Sequence, residues 1–259
     1  MRKLSFLLAV LLVLQGTPLG AQVSFAGESL PVERGPVVFT LDKFIKRYKK
    51  QAWIDSVKQL AVEVFPILTR ILAREAIPED FKYVPVVEST LDVFALSPAG
   101  ARGMWQFMPQ TATAFGLRVQ GGRDERSDFI KSTYSACAYL KRLYRMFGSW
   151  HLAAAAFNCG EGSLGAAIRR SGTRDYYSLV LNRETAEYLY RIVAVKHLFE
   201  TDPRYGALFR SGETLVLQAA DSSFSKTEVA GEGDQGFRTV YFDQDTLTLD
   251  AGGWHQPDR

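Results

Sequence analysis

The residues able to do chemistry gather between Val84 and Gly116. Glu88 follows the apolar Val84, Val86 and Val87. A carboxyl at the edge of such a run is poorly solvated, which favours its protonated form and suits a proton donor. Ser97, Pro98, Ala99, Gly100 and Gly103 come next and carry little side-chain bulk, so another molecule can approach their backbone closely. Trp105, Gln106, Phe107 and Met108 then offer an aromatic plane, an amide that donates and accepts, and adaptable apolar surface. One acid beside such a surface suits the gripping of a sugar chain. Alone, Glu88 would read as a surface helix glutamate and Gln106 as a loop ligand. Asp92 reads as a cap or loop ligand, Ser89 as support for the Glu88 helix, and Trp105 equally as core or as a sugar platform.

The elements that must position these residues read as helices. Phe44, Ile45, Tyr48, Ile54, Val57 and Leu60 recur at helical spacing over Leu41 to about Leu72, where Pro66 either kinks the run or starts a new helix. Pro78, Glu79 and Asp80 look like a start leading into the Glu88 segment, and Pro109 opens a short helix ending at Gly116. Ser127 or Asp128 caps a strong helix through Ile130, Tyr134, Cys137, Leu140, Tyr144 and Phe147, stopped by Gly148. The run from Trp150 to Ala156 is apolar and Ala-rich, as if buried, and Phe157 to Gly162 breaks it. A short helix from Ser163 to Arg170 follows, and Asn182 caps a last long one that ends before Pro203. No internal repeat or alternating βαβ pattern occurs, so the body is expected to be mainly α. Leu215 to Leu217 and Phe237 to Leu249 suggest short strands, in a small β element or a partly disordered extension.

Length and composition fit one or two ordinary globular domains: 259 residues, 47% hydrophobic and 23% charged. Residues 1–22 have a basic start, an apolar run from Leu4 to Leu14 and a small-residue end, which reads as a secretory signal peptide and predicts export. No other apolar run is long enough to span a membrane, and no Cys near the cut supports a lipid anchor. The formal charge of +3 falls to +1 without Arg2 and Lys3. Residues 207–259 hold nine acidic and four basic residues, leaving the rest of the mature chain near +6. That charge suits an anionic polymer such as bacterial cell wall, or simply solvated helix faces. Scattered basic residues with no binding signature speak against nucleic acid. Two Cys and three His in no ligand spacing speak against a zinc site. Export allows a disulfide between Cys137 and Cys159, and two free thiols are an equal reading.

Glu88-Ser89, Ser97, Gly103-Met104-Trp105-Gln106, Ala156-Phe157-Asn158-Cys159-Gly160 and Glu184-Thr185 with Tyr188 occur in this order. Over roughly residues 42–205 the set resembles the family 1 lytic transglycosylases of the bacterial cell wall, their membrane-bound D branch most of all. The resemblance implies a goose-type, lysozyme-like helical domain over 41–205; residues 23–40, punctuated by Gly and Pro, read as a loose lead-in, and 206–259 as an acidic C-terminal extension. It implies peptidoglycan glycan strands as the partner and no cofactor. The β-1,4 bond from N-acetylmuramic acid to N-acetylglucosamine is cleaved without water, leaving a 1,6-anhydro ring. Carried over, Glu88 is the catalytic acid and then base. Ser97 and Gln106 hold substrate near the scissile bond, and Met108 lines the cleft. Asn158 contacts the sugar or positions the glutamate, and Tyr188 brings its hydroxyl to Glu88. Two positions depart from the pattern: Phe157 stands where Tyr is usual, and Cys159 where Ser or Ala is common. The lipid anchor and wall-binding repeats frequent in the branch are not seen. A water-using muramidase with Asp92 as base and a non-catalytic wall-binding scaffold are the rival readings.

Overall fold

The computed structural model describes residues 23–120, 122 and 124–210, with the backbone of Tyr241–Phe242 and Leu249–Asp250. The expected signal peptide and the strand expected at 215–217 lie outside the described residues. The architecture is mainly α, as the periodicity predicts. A hairpin of β1 (Ser24–Phe25) and β2 (Glu28–Ser29) leads into α1 (Gly35–Lys49) and α2 (Trp53–Arg74). A 3-10 turn at Glu79–Tyr83 runs into α3 (Val84–Ser89). There follow α4 (Pro109–Ala114), α5 (Phe129–Phe147), α6 (Trp150–Cys159), α7 (Glu161–Ser171), α8 (Arg183–Glu200) and the single turn α9 (Gly206–Phe209). Finally β3 (Tyr241–Phe242) and β4 (Leu249–Asp250) pair antiparallel, within the stretch expected to hold a strand. Among the described residues no helix is long and apolar enough to cross a membrane.

α8 is the central post. α1 packs along one side of it, α6 along another, and the Glu88 helix α3 against it as well. Ile192, Val193, Ala194, Val195 and Phe199 are buried there. Several local signals act as read. Asp128 and Asn182 accept backbone N–H groups at the starts of α5 and α8. Ser149, not singled out in the sequence, does the same for α6. Gly148 closes α5 in the left-handed conformation. Pro66 lies inside α2 on an exposed face, where water can satisfy the carbonyl it leaves unbonded.

Five expectations are corrected. The lead-in at 23–40 is built structure rather than a loose segment: Phe25 is fully buried, edge-on to Phe81, and Asp80 accepts from the Ala26 amide at 2.7 Å. Glu28 reaches the first turn of α6, accepting from the Ser149 hydroxyl and from the Trp150 and His151 amides. α1 accordingly starts at Gly35, with Pro36 in its first turn, not at Leu41. The long run from 41 to 72 is two helices, because both faces bury in one core and the periodicity continues across the break at 50–52. α6 runs through Asn158 to Cys159 instead of breaking at Phe157. Finally, the body does not stop at 205. Phe209 is buried against Phe65 and Phe199, and its carbonyl accepts from Lys82 and Tyr83. Gly206 permits this, since a Cβ there would strike the Glu200 carbonyl.

Candidate active site

α3 is short because of what ends it. Val84, Pro85 and Val86 are buried, and Thr90 and Leu91 then take positive φ angles of 56° and 67°, which no helix continues. Non-glycine residues accept that conformation only where surroundings enforce it. Here Leu91 is 3% exposed, so its burial holds the turn. Glu88 thus sits in the last turn of a helix that cannot slide.

A hydroxyl latches this helix to the loop that follows. The Ser89 Oγ lies 2.9 Å from the Met104 carbonyl and 3.1 Å from that of Pro85. Ser89 is therefore the support that its position suggested. The loop is itself tightly wound. Leu96, Arg102 and Phe107 form backbone bridges, and the buried Arg126 donates to the carbonyls of Gly100 and Phe107 at 2.7 and 2.9 Å. Gly103 has φ +80°, and a Cβ on it would fall on the Arg126 carbonyl oxygen, so this position requires glycine twice over. Trp105 is fully buried and donates to Thr133 at 3.0 Å. It is core, which removes the sugar-platform reading.

The sequence-derived residues divide by distance from Glu88. Tyr188 meets it directly: the phenol donates to Glu88 Oε1 at 2.5 Å, and the ring is 1% exposed. Asn158, at the end of α6, is joined to the first turn of α8. Its Oδ1 accepts from the Thr185 hydroxyl at 2.7 Å, and its Nδ2 donates to Glu184 at 3.3 Å. Gln106, at φ +48°, donates its amide to the carbonyls of Gly103 and Ala95, and so braces the loop. Ser97 accepts from the Ala101 amide in the same loop, and Met108, 43% exposed, ends it. No hydrogen bond among the described residues joins Ser97 or Gln106 to Glu88. Asp92 is an exposed loop ligand, accepting from the Phe94 amide at 2.8 Å. Phe157 packs edge-on against Trp105 and Phe107, so the ring keeps its packing without a hydroxyl. Cys137 and Cys159 are free thiols, the second beside the Gly160 carbonyl.

Burial pushes the Glu88 carboxyl up to about 7. The Tyr188 hydrogen bond and the positive charge of Arg191 pull it down, and Glu184 pushes it further up. At neutral pH the group therefore stands near half protonation, able to give a proton and to take one back. Burial and the neighbouring carboxyl drive the Tyr188 phenol well above its usual range, so it stays a donor.

Arg191 is the residue that the sequence reading missed. Its guanidinium bonds Tyr48 at 3.0 Å and the Val87 carbonyl at 3.4 Å, tying α1 and α3 to α8. The signal was its spacing: Glu184, Tyr188 and Arg191 fall on one face of α8. Arg126 was missed too, and nothing in its own neighbourhood pointed to the loop it holds.

The chain is similar to several known proteins. Residues 67–180 match the family model of the transglycosylase SLT domain. The membrane-bound lytic murein transglycosylase D of Escherichia coli strain K12 is 37% identical over 162 residues, which cover 61% of this chain and 36% of that one. Among solved structures, the 70 kDa soluble lytic transglycosylase of E. coli aligns at 22% identity and TM-score 0.46, over 67% of this chain and 30% of that one. Its complex with bulgecin A aligns at 23% and 0.46, over 65% and 31%. The chain thus spans little more than a third of the curated relative's length.

Proposed function

We propose that this chain, whose residues 67–180 match the transglycosylase SLT domain, is a lytic transglycosylase acting on peptidoglycan glycan strands in the bacterial cell envelope. The observation that carries the reading is Glu88, a single carboxyl raised to about 7 and bonded to a buried phenol. Protonated Glu88 gives its proton to the oxygen leaving N-acetylmuramic acid C1. The substrate's N-acetyl group steadies the cation that forms. Glu88, now a carboxylate held by Tyr188, accepts the proton of the 6-hydroxyl as that oxygen closes on C1. The tethered hydroxyl has a high effective concentration, so the product is a 1,6-anhydro ring and no water need be placed. In this reading Asn158 supplies a fixed dipole at the developing charge. Gln106 and Ser97 shape the loop under the sugar, and Met108 covers its mouth.

The muramidase rival needs a second carboxylate to activate water. Asp92 is poorly suited, being exposed and committed to the Phe94 amide. Mass spectrometry of muropeptides released from purified sacculi decides the matter. Anhydro ends are expected. Reducing ends would replace this mechanism with hydrolysis, and full biological function of Glu88→Gln would replace it with a scaffold.

A further inference from the structure

α1 has two faces of opposite character. On the inner one Val37, Leu41, Phe44 and Tyr48 are buried in the core. On the outer one Phe39, Lys43 and Lys46, with Lys50 at the C-cap, recur at spacings of four, three and four, which lines them up as one stripe. All four are exposed, and the Phe39 ring is 67% open to water. Arg47 and Lys49 flank the stripe and are exposed too. From Phe39 to Lys50 the chain holds five basic residues and one acidic, Asp42.

Local helix physics explains only part of this. Cations in a last turn complement the helix dipole, which covers Lys46, Arg47 and Lys49. Lys46 also pairs with Asp42 at 2.7 Å and Lys43 with Glu187 at 3.1 Å, partly exposed pairs of little worth. Among the described residues no carboxylate lies within ion-pair distance of Arg47, Lys49 or Lys50. A phenyl ring held in water gains nothing from the dipole, and withdrawing it from water is favourable. The stripe also points away from the acid. Tyr48, on the inner face, reaches Arg191, and Arg191 reaches the Val87 carbonyl next to Glu88. The outer face is therefore the far side of α1 from that carboxyl. α1 lies outside residues 67–180, the stretch that matches the SLT family model.

We propose that this stripe docks the protein on an anionic phospholipid surface, with Phe39 sunk among the headgroups and Lys43, Lys46 and Lys50 on lipid phosphates. Lysines in line with one exposed aromatic, on the back of a helix, have the form of an interfacial anchor. Lysine stems are long enough to keep their ammonium groups at phosphate level while the ring sits deeper. A glycan strand is the poorer fit, because such ligands are held in concave sites and the back of a helix is convex. Docked this way, the protein keeps Glu88 on the side away from the bilayer. The proposal does not depend on the reaction assigned to Glu88.

The test sediments residues 23–259, the chain without its expected leader, with two kinds of vesicle. One is phosphatidylcholine alone, and the other contains about one quarter phosphatidylglycerol. Wild type is expected to bind the anionic vesicles at least about tenfold better, and about 0.5 M salt should remove most of that difference. Lys46→Glu combined with Lys50→Glu should weaken this binding about a hundredfold or more, at roughly fivefold per unit of charge. Phe39→Ser should weaken it about tenfold. All the substituted side chains are exposed, so both variants should keep the wild-type circular dichroism spectrum. Both should also cleave short soluble glycan strands at the wild-type rate, because the stripe lies on the far side of α1 from Glu88. Equal wild-type binding to the two vesicles, or variants that bind anionic vesicles as wild type does, overturns the proposal. So does a lysine double variant that loses binding to purified sacculi while its vesicle binding holds, which assigns the stripe to the wall polymer.

Discussion

Two glutamates withdrawn from water behave in opposite ways. Glu125 is 6% exposed, yet its carboxyl is held down to about 2. It accepts from the Arg118 guanidinium at 2.6 and 2.9 Å, from Lys131 at 2.7 Å and from the Arg118 amide at 2.9 Å. Among the described residues Glu88 has one donor in contact, the Tyr188 phenol, and the two charges that act on it, Arg191 and Glu184, oppose each other. Its carboxyl rises to about 7. Burial supplies the pressure to stay neutral in both places, and the number of cationic donors decides whether it wins. Glu125 is a brace in the turn that supports the active loop through Arg126. Glu88 is under-partnered, which is what a proton donor working near neutrality requires.

The contrast can be broken most directly at Glu88. Glu88→Gln should lower the release of anhydro muropeptides by about a thousandfold, the scale of a lost general acid–base group, with the circular dichroism spectrum intact. Substantial residual activity would put the proton donor elsewhere.

The same variant tests the cost of the under-partnered site. Below about pH 4.5 Glu88 is protonated in both folded and unfolded chains. Between about 4.5 and 7 the folded state holds the extra proton, so this group makes stability fall as pH rises, with the full loss reached above about 7. Gln carries no such penalty. Denaturant unfolding should find Glu88→Gln more stable than wild type at pH 8 by on the order of 2 kcal/mol, with the advantage gone by pH 4.

Glu125→Gln should act with the opposite sign. Its low folded value gives stability that is present above about pH 4.5 and lost as pH falls towards about 2. At neutral pH the variant should be less stable by about 1 to 2 kcal/mol, in line with the loss of charge-assisted hydrogen bonds. Equal unfolding midpoints would mean that the Arg118 and Lys131 contacts are worth nothing in solution.

The smallest expected effect sharpens the partner argument. Tyr188→Phe removes the one donor that favours the Glu88 carboxylate, so the carboxyl binds its proton more tightly. The alkaline limb of the rate profile should move to higher pH. The neutral-pH rate should drop about fivefold, because the base half of the cycle loses its support. An unmoved alkaline limb would show that the phenol does not tune the acid.

Much of the helical body was legible because its signals are local. Caps at Asp128 and Asn182 need only the next three residues, and Gly148 needs only its own φ. Where expectation failed, the cause lay far along the chain. Ala26 is ordered by Asp80, and Phe209 by Phe65 and Phe199. Trp105 looked equally suited to core and cleft, because an indole serves both; its bond to Thr133 decides for core. Gln106, read alone as a loop ligand, does tie the loop together through its amide.

By itself the chain of residues determined the helices, the order of the chemical groups and the one acid beside an apolar run, since these follow from spacing and side-chain type. Tertiary structure alone decided that Tyr188, one hundred residues on, should touch Glu88, that Arg191 should pin α3 through the Val87 carbonyl, and that among the described residues no cation should pair with the acid directly. Proton affinity depends on what crowds a group in space, and the crowd around Glu88 is drawn from helices that meet only when the chain has folded.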